Sequence, residues 1–253
     1  MKRLLWLAAA ALVVGHPNLV FAQSEVTLIA PGGIRAAIEQ LIPGFEKKTG
    51  IKVKATFGSG LGTKKQVASG EAFDVPIVQP PYPEVIASGN VVASSARPLA
   101  TISIGVAVKK GAPKPDISTP EAVKKMLLAA KSVGYPDPSG GAAAGVAFDA
   151  TLKQLGIAEQ MGPKLKRAQG GAGAMTLAAN GEVEIGLTFL SEMENPGIDV
   201  VGPLPKEIAP PTSLVGFISA HAKDPAAAKK LLDYLSSREA AAAYKAQRMQ
   251  PGK

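Results

Sequence analysis

The chain reads as an α/β protein of two lobes, each a mainly parallel sheet flanked by helices. Three observations predict this. Apolar runs with strand and helix periods alternate along most of the chain, as they do in βαβ units. Glycine- and serine-rich turns stand where strands should give way to helices. The whole pattern then starts again after Ala100. At 253 residues the chain suits one large domain or two small ones. Hydrophobic residues make up 46% and charged residues 19%, which supplies a core and excludes a disordered chain. Aromatics are only 5%, so that core should be built from small aliphatic side chains.

The first set of elements begins with the β-rich run Val26 to Ile29, broken by Pro31-Gly32-Gly33. Ile34, Ile38, Leu41 and Phe45 then recur at helical spacing on one face. Lys47 and Lys48 suit the end of that helix, and Gly50 stops it. Ile51 to Phe57 alternates as a strand, Gly58-Ser59-Gly60 turns, a polar helix runs through Gln66, and Asp74 to Val78 forms a third strand.

The second set begins with a strand at Ile102 to Val108. Ser118-Thr119-Pro120-Glu121 combines a capping box with an early proline and starts a helix buried through Val123, Met126, Leu127 and Ala130. Ser132 to Tyr135 is a strand, Asp137 to Gly141 a loop, and Val146 to Leu155 a helix ended by Gly156. A helix over Ala172 to Ala179 and strands at Glu184 to Phe189, Gly197 to Gly202 and Leu214 to Ser219 follow. Ala226 to the C-terminus is expected to be helical, with Leu231, Leu232 and Leu235 on one side.

Residues 1–22 have the layout of a secretory signal peptide. Lys2 and Arg3 precede an apolar run from Leu4 to Val14, and Val20-Phe21-Ala22 offers small residues for cleavage after Ala22. The run is too short to span a bilayer, which takes about 20 residues. The mature chain would then be exported and soluble, with 26 basic and 20 acidic residues and one histidine, His221. The basic excess suits a small anion. It does not suit nucleic acid, because the lysines are scattered in pairs without interleaved aromatics. With no cysteine, thiolate metal sites, iron–sulfur clusters, disulfides and a cysteine nucleophile are excluded. No metal and no cofactor are expected.

Two α/β units imply a cleft between them, and ligands of open α/β sheets bind beyond the carboxyl ends of the strands. Gly32-Gly33, Ser59-Gly60 and Ser139-Gly140-Gly141 each lead into a helix there. A helix N-terminus offers free N–H groups, and glycine lets an anion approach the backbone. Arg35, in the first turn of the first cleft helix, could grip a carboxylate with two parallel hydrogen bonds. Ser191 could add a hydroxyl, whereas Glu192 should pair with a base such as Arg35 or lie outside the site.

Several short stretches, in their order and spacing, resemble a known family. They are Leu28 to Gly33, Phe57 to Gly60 with Gln66 to Glu71, Phe73-Asp74-Val75, Asp137 to Gly140, and Gly181 to Gly186. The chain resembles periplasmic solute-binding proteins of the molybdate-binding type, the two-lobed receptors that serve ABC importers. The resemblance implies a periplasmic-binding-protein fold with two hinge crossings. The lobes would be residues 24–103 with 212–253, and residues 104–211. It also implies a monomer that takes a small anionic ligand and meets a membrane ABC permease. In such molybdate binders, hydroxyls of the first two loops and a late tyrosine hold the oxoanion. Here Gly32 and Gly33 stand at the first hydroxyl, Ser59 keeps the second, and Phe189 replaces the tyrosine. Phenylalanine cannot donate a hydrogen bond. The subgroup with Val201-Gly202-Pro203-Leu204-Pro205 is also similar to periplasmic aconitate isomerase, which makes a small polycarboxylate a rival ligand.

The resulting ligand set is Gly32, Gly33, Arg35, Ser59, Gly60, Ser139, Gly140, Phe189 and Ser191. No nucleophile elbow or phosphate-loop motif is present, which favours a binding protein. An isomerase stays open, since allylic proton transfer needs only a positioned base and an anion clamp. Ser59, Tyr135 and Glu192 are the candidates for that work.

Overall fold

A computed structural model describes residues 24–252. The expected leader, residues 1–22, lies outside the described residues. Among the described residues eleven strands form: β1 Glu25–Pro31, β2 Lys52–Gly58, β3 Val75–Val78, β4 Arg97–Ile102, β5 Ile104–Lys109, β6 Val133–Pro136, β7 Leu165–Ala168, β8 Ile185–Phe189, β9 Ile198–Pro203, β10 Thr212–Gly216 and β11 Gln250–Pro251. The helices are α1 Arg35–Thr49, α2 Gly60–Ala68, α3 Pro83–Ala87, α4 Pro120–Ala129, α5 Ala143–Gln154, α6 Ala158–Met161, α7 Gly170–Asn180, α8 Pro225–Leu235 and α9 Arg238–Ala246.

The strands make two sheets, ordered β11-β4-β10-β3-β1-β2 and β7-β6-β8-β5-β9. Both are mixed. β1 runs parallel to β2 and β3, and β6 runs parallel to β7 and β8, as right for βαβ units. Antiparallel pairing enters with β4, β10 and β11 in the first sheet and with β5 and β9 in the second. The chain passes between the sheets twice, at Ser103 between β4 and β5 and over residues 204–211 between β9 and β10. The single strand expected over Ile102 to Val108 is therefore two strands in two sheets.

The helical stripes pack as their spacing predicts. Ala37, Ile38, Leu41 and Phe45 bury one face of α1, and Gly50 ends it in the left-handed conformation at φ 70°. Burial of side chains this size contributes roughly 1.5–3 kcal/mol each. Thr119 caps α4 through the Ala122 N–H, and Asp224 caps α8 through Ala226 and Ala227. Asp74, 2% exposed, ties the first sheet together. It accepts from the Thr27 N–H and hydroxyl and from the Lys223 N–H.

The C-terminus departs from the helical expectation. Helix α9 stops at Ala246, Arg248 takes φ 55°, and Gln250 and Pro251 pair with Thr101 and Ala100 of β4. Pro251 lacks the N–H that a continued helix would need.

Candidate functional site

A cleft of about 720 Å³ opens between the two sheets. Every parallel strand sends its carboxyl end into it. Pro31 to Gly33 follow β1, Gly58 to Gly60 follow β2, and Gln79 follows β3. From the second sheet come Pro136 and Asp137 after β6, Ala168 to Gly171 after β7, and Phe189 with Glu192 after β8. This is where an open α/β sheet presents helix N-termini to a ligand.

On the first-sheet side, Ser59 caps α2, its Oγ accepting from the Gly62 N–H at 3.1 Å. A hydroxyl used as an acceptor still has its own proton to donate. Arg35 lines the cleft with its guanidinium carbon 4.8 Å from the centre of the Phe57 ring. That contact holds the guanidinium charge over the ring. Gly60 is buried against Gln79 and Ala143, where a Cβ would overlap the Gln79 side chain.

The second-sheet side is more highly charged. Arg167, at the exposed edge strand β7, sits with Nε 3.9 Å from Asp137 Oδ1 and meets the Tyr135 hydroxyl, which holds its guanidinium firmly protonated. Glu192 is half-buried and accepts a 2.6 Å hydrogen bond from the Thr188 hydroxyl. It packs against Gly171 so closely that a Cβ there would come to 2.5 Å from Oε2. Burial pushes its carboxyl above the ordinary carboxylate range, against the opposing hydrogen bonds from Thr188 and the Phe189 backbone. No cation within salt-bridge distance offsets this among the described residues.

The residues expected from the sequence divide into two groups. Gly32, Gly33, Arg35, Ser59, Gly60, Gly140, Phe189 and Glu192 all line the cleft. Tyr135, Ser139 and Ser191 do not. Tyr135 is 1% exposed behind the wall, edge-on to Phe148 with ring centres 5.2 Å apart. Ser139 turns its hydroxyl to Asp137 Oδ1 at 2.8 Å. Ser191 is buried, and its hydroxyl donates to the Gly33 carbonyl at 2.7 Å. That bond joins the two sheets, as does the Leu61 N–H to the Gly141 carbonyl. Glu192 lies inside the cleft without an ion pair to Arg35 or a lysine, so it meets neither expectation, a pairing with a base or a place outside the site.

Sequence reasoning missed Gln79, Arg167 and the Gln169-Gly170-Gly171 turn, all of which line the cleft. The turn had a legible signal, since Gly170-Gly171 precedes an alanine-rich helix just as the other glycine turns precede theirs. Arg167 lies in a four-residue strand with no hydrophobic alternation, and Gln79 is a lone polar residue before two prolines.

A family model described as bacterial extracellular solute-binding protein matches residues 26–249. Aconitate isomerase from a Pseudomonas species is 34% identical over 261 residues, which cover 98% of this chain and 97% of that protein. The molybdate-binding protein ModA of Azotobacter vinelandii is 29% identical, with 88% of each chain covered. Among solved structures, the periplasmic molybdate-binding protein of the same organism superposes with a TM-score of 0.73 at 20% identity, covering 88% of this chain and 98% of that one. The sulfate-binding protein SubI of Mycobacterium tuberculosis gives 0.71 at 17% identity, covering 90% and 87%. The chain thus belongs to the bacterial extracellular solute-binding protein family and has the two-lobed fold of its molybdate-binding relatives.

Proposed function

We propose that this chain is an exported binding protein that captures a small polycarboxylate in the cleft between its sheets. The observation that carries the reading is the pair Arg35 and Arg167, one from each sheet, both lining one cleft. A compact oxoanion can be held by neutral donors alone, but a di- or tricarboxylate needs formal positive partners. The missing donors point the same way. Glycines replace the first hydroxyl and Phe189 the late tyrosine, so a small dehydrated oxoanion would lack two hydrogen bonds. The backbone of Gly32, Gly33, Gly60 and Gly140 and the Ser59 hydroxyl supply further donors. In this reading residues 24–103 and 212–253 form one lobe and residues 104–211 the other, which the division of strands between the sheets supports. Residues 1–22 direct the chain to the periplasm, and a membrane ABC permease receives the ligand from the monomer.

A second reading is favoured by Glu192 and by the 34% identical relative named aconitate isomerase. A carboxyl held above its ordinary value of 4.5 is a better general base near neutral pH. Its carboxylate would take a proton from a methylene next to one carboxylate of the ligand. The electron pair would spread over the adjoining double bond, and the same proton would return at the far end of the allyl unit. The double bond moves by one carbon and no cofactor is consumed. Arg35 and Arg167 would stabilise the charge that develops on the carboxylates.

Calorimetry on the purified chain with cis-aconitate, trans-aconitate, citrate, molybdate and sulfate tests the ligand class. Tight binding of molybdate with none of the tricarboxylates would overturn it. Following the two aconitates by proton resonance in deuterated water tests turnover. Interconversion selects the isomerase, with or without solvent deuterium entering the methylene, and binding without interconversion selects the receptor.

A further inference from the structure

We propose that Gln79 and the Gly60 N–H form a neutral donor pair on the first-sheet wall of the cleft, which takes one oxygen of a bound carboxylate or oxoanion. This rests on the reading of the cleft as an anion site and names a specificity-determining residue within it. Gln79 stands at the carboxyl end of β3, lines the cleft, and is 3% exposed. Its Nε2 has no hydrogen-bond partner. Among the described residues one other buried side-chain atom shares that condition, the Thr63 hydroxyl, which lies in α2 beside Gly58. Both therefore flank the first turns of the same helix.

The first turn of α2 has one donor left over. The Leu61 N–H goes to the Gly141 carbonyl, the Gly62 N–H to Ser59 Oγ and the Thr63 N–H to the Ser59 carbonyl. Gly60 is the helix residue that has no such bond, and it is also the residue against which the Gln79 side chain packs, through Oε1. Buried polar groups are nearly always paired, so an unpaired amide nitrogen on a residue that lines a cleft is a group kept for a ligand. An amide donor also recognises an anion without adding charge, unlike Arg35 in the same cleft.

Gln79→Met keeps the length and removes the amide. Gln79→Glu keeps the shape and turns a donor into an acceptor. Each variant is melted without ligand and then titrated with cis-aconitate, trans-aconitate, citrate and molybdate, which separates a carboxylate from a tetrahedral oxoanion as the source of the oxygen. We expect Gln79→Met to melt at or above the wild-type temperature without ligand, because it deletes an unsatisfied group. It should bind whichever anion the wild type binds at least tenfold more weakly, and Gln79→Glu more weakly still at pH 8. An affinity within threefold of wild type for both variants would overturn the proposal. So would a ligand-free Gln79→Met that melts several degrees lower, since that marks a structural amide. If the wild type binds no anion in the set, the reading of the cleft fails and the donor pair falls with it, whereas anion binding undiminished in both variants overturns the donor pair alone.

Discussion

The two walls of the cleft are built from the same kind of turn yet carry different chemistry. The first-sheet wall offers a capping serine, an unpaired amide, glycine backbone and one guanidinium stacked on Phe57. The second-sheet wall offers Asp137, Arg167 and the half-buried carboxyl of Glu192, together with the apolar Phe189. The first wall resembles a general anion cradle. The second brings charge of both signs, and it is the one able to discriminate a polycarboxylate or to move a proton. In the proposed reading, the difference teaches that strand-to-helix turns would supply anion affinity in common, while specificity would sit in side chains at the strand ends.

The largest expected effect comes from the guanidinium on the charged wall. Arg167→Ala should weaken tricarboxylate binding by about 2 kcal/mol, roughly thirtyfold, as expected for a charge-assisted hydrogen bond. Arg35→Ala should do the same from the opposite wall. Calorimetry on both variants checks this. Binding unchanged by Arg167→Ala would leave the second wall without a role in affinity, and binding unchanged by Arg35→Ala would leave the first wall's guanidinium without one.

Removing the bond that joins the walls should act on stability instead. Ser191→Ala deletes the donor to the buried Gly33 carbonyl. The expected loss is about 1–3 kcal/mol in unfolding free energy, because an acceptor is left unsatisfied. Denaturant unfolding of the ligand-free chain measures it. Ser59→Ala should cost about 1 kcal/mol of stability, since the capping bond to the Gly62 N–H goes with it. If Ser59→Ala weakens ligand binding while leaving stability unchanged, the hydroxyl is a ligand contact and the cap is worth little.

Much of the first wall was legible in the sequence, and less of the second. Pro31-Gly32-Gly33 and Gly58-Ser59-Gly60 break clear apolar strands, so the turns and their backbone donors follow from local chemistry. The apolar stripe of α1, Ile38, Leu41 and Phe45, is buried as its period requires. Strand β7 carries no period at all, since Lys166 and Arg167 face solvent on a sheet edge. Its existence depends on pairing with β6, and so does the position of Arg167. Tyr135 and Ser191 were drawn toward the ligand by their polar groups, but tertiary contacts claim both. Whether a hydroxyl is spent on the protein or left for a ligand is decided between elements far apart in the chain, and one sequence does not reveal it.

The smallest effect is the sharpest test of the charged wall. Glu192 has its carboxyl raised by burial, with the Thr188 and Phe189 hydrogen bonds opposing. A carboxyl whose folded value exceeds its unfolded one favours the folded state most while it is protonated. Its contribution is fully present below the ordinary value of 4.5 and is lost as pH rises through the folded value. At neutral pH wild type therefore holds an ionised group in a place that disfavours it, close to where an anionic ligand would sit. Gln keeps the shape and the acceptor for Thr188 but cannot ionise. Glu192→Gln should then match wild type near pH 4.5 and exceed it slightly at pH 8 in ligand-free thermal melts. Its affinity for a tricarboxylate at pH 8 should rise, because one like charge has left the cleft. In the isomerase reading the same variant binds better and turns over nothing, a split between binding and rate that a structural glutamate would not produce. Parallel pH profiles for wild type and variant would show that Glu192 does not titrate in this range, and the base would have to be sought elsewhere in the cleft.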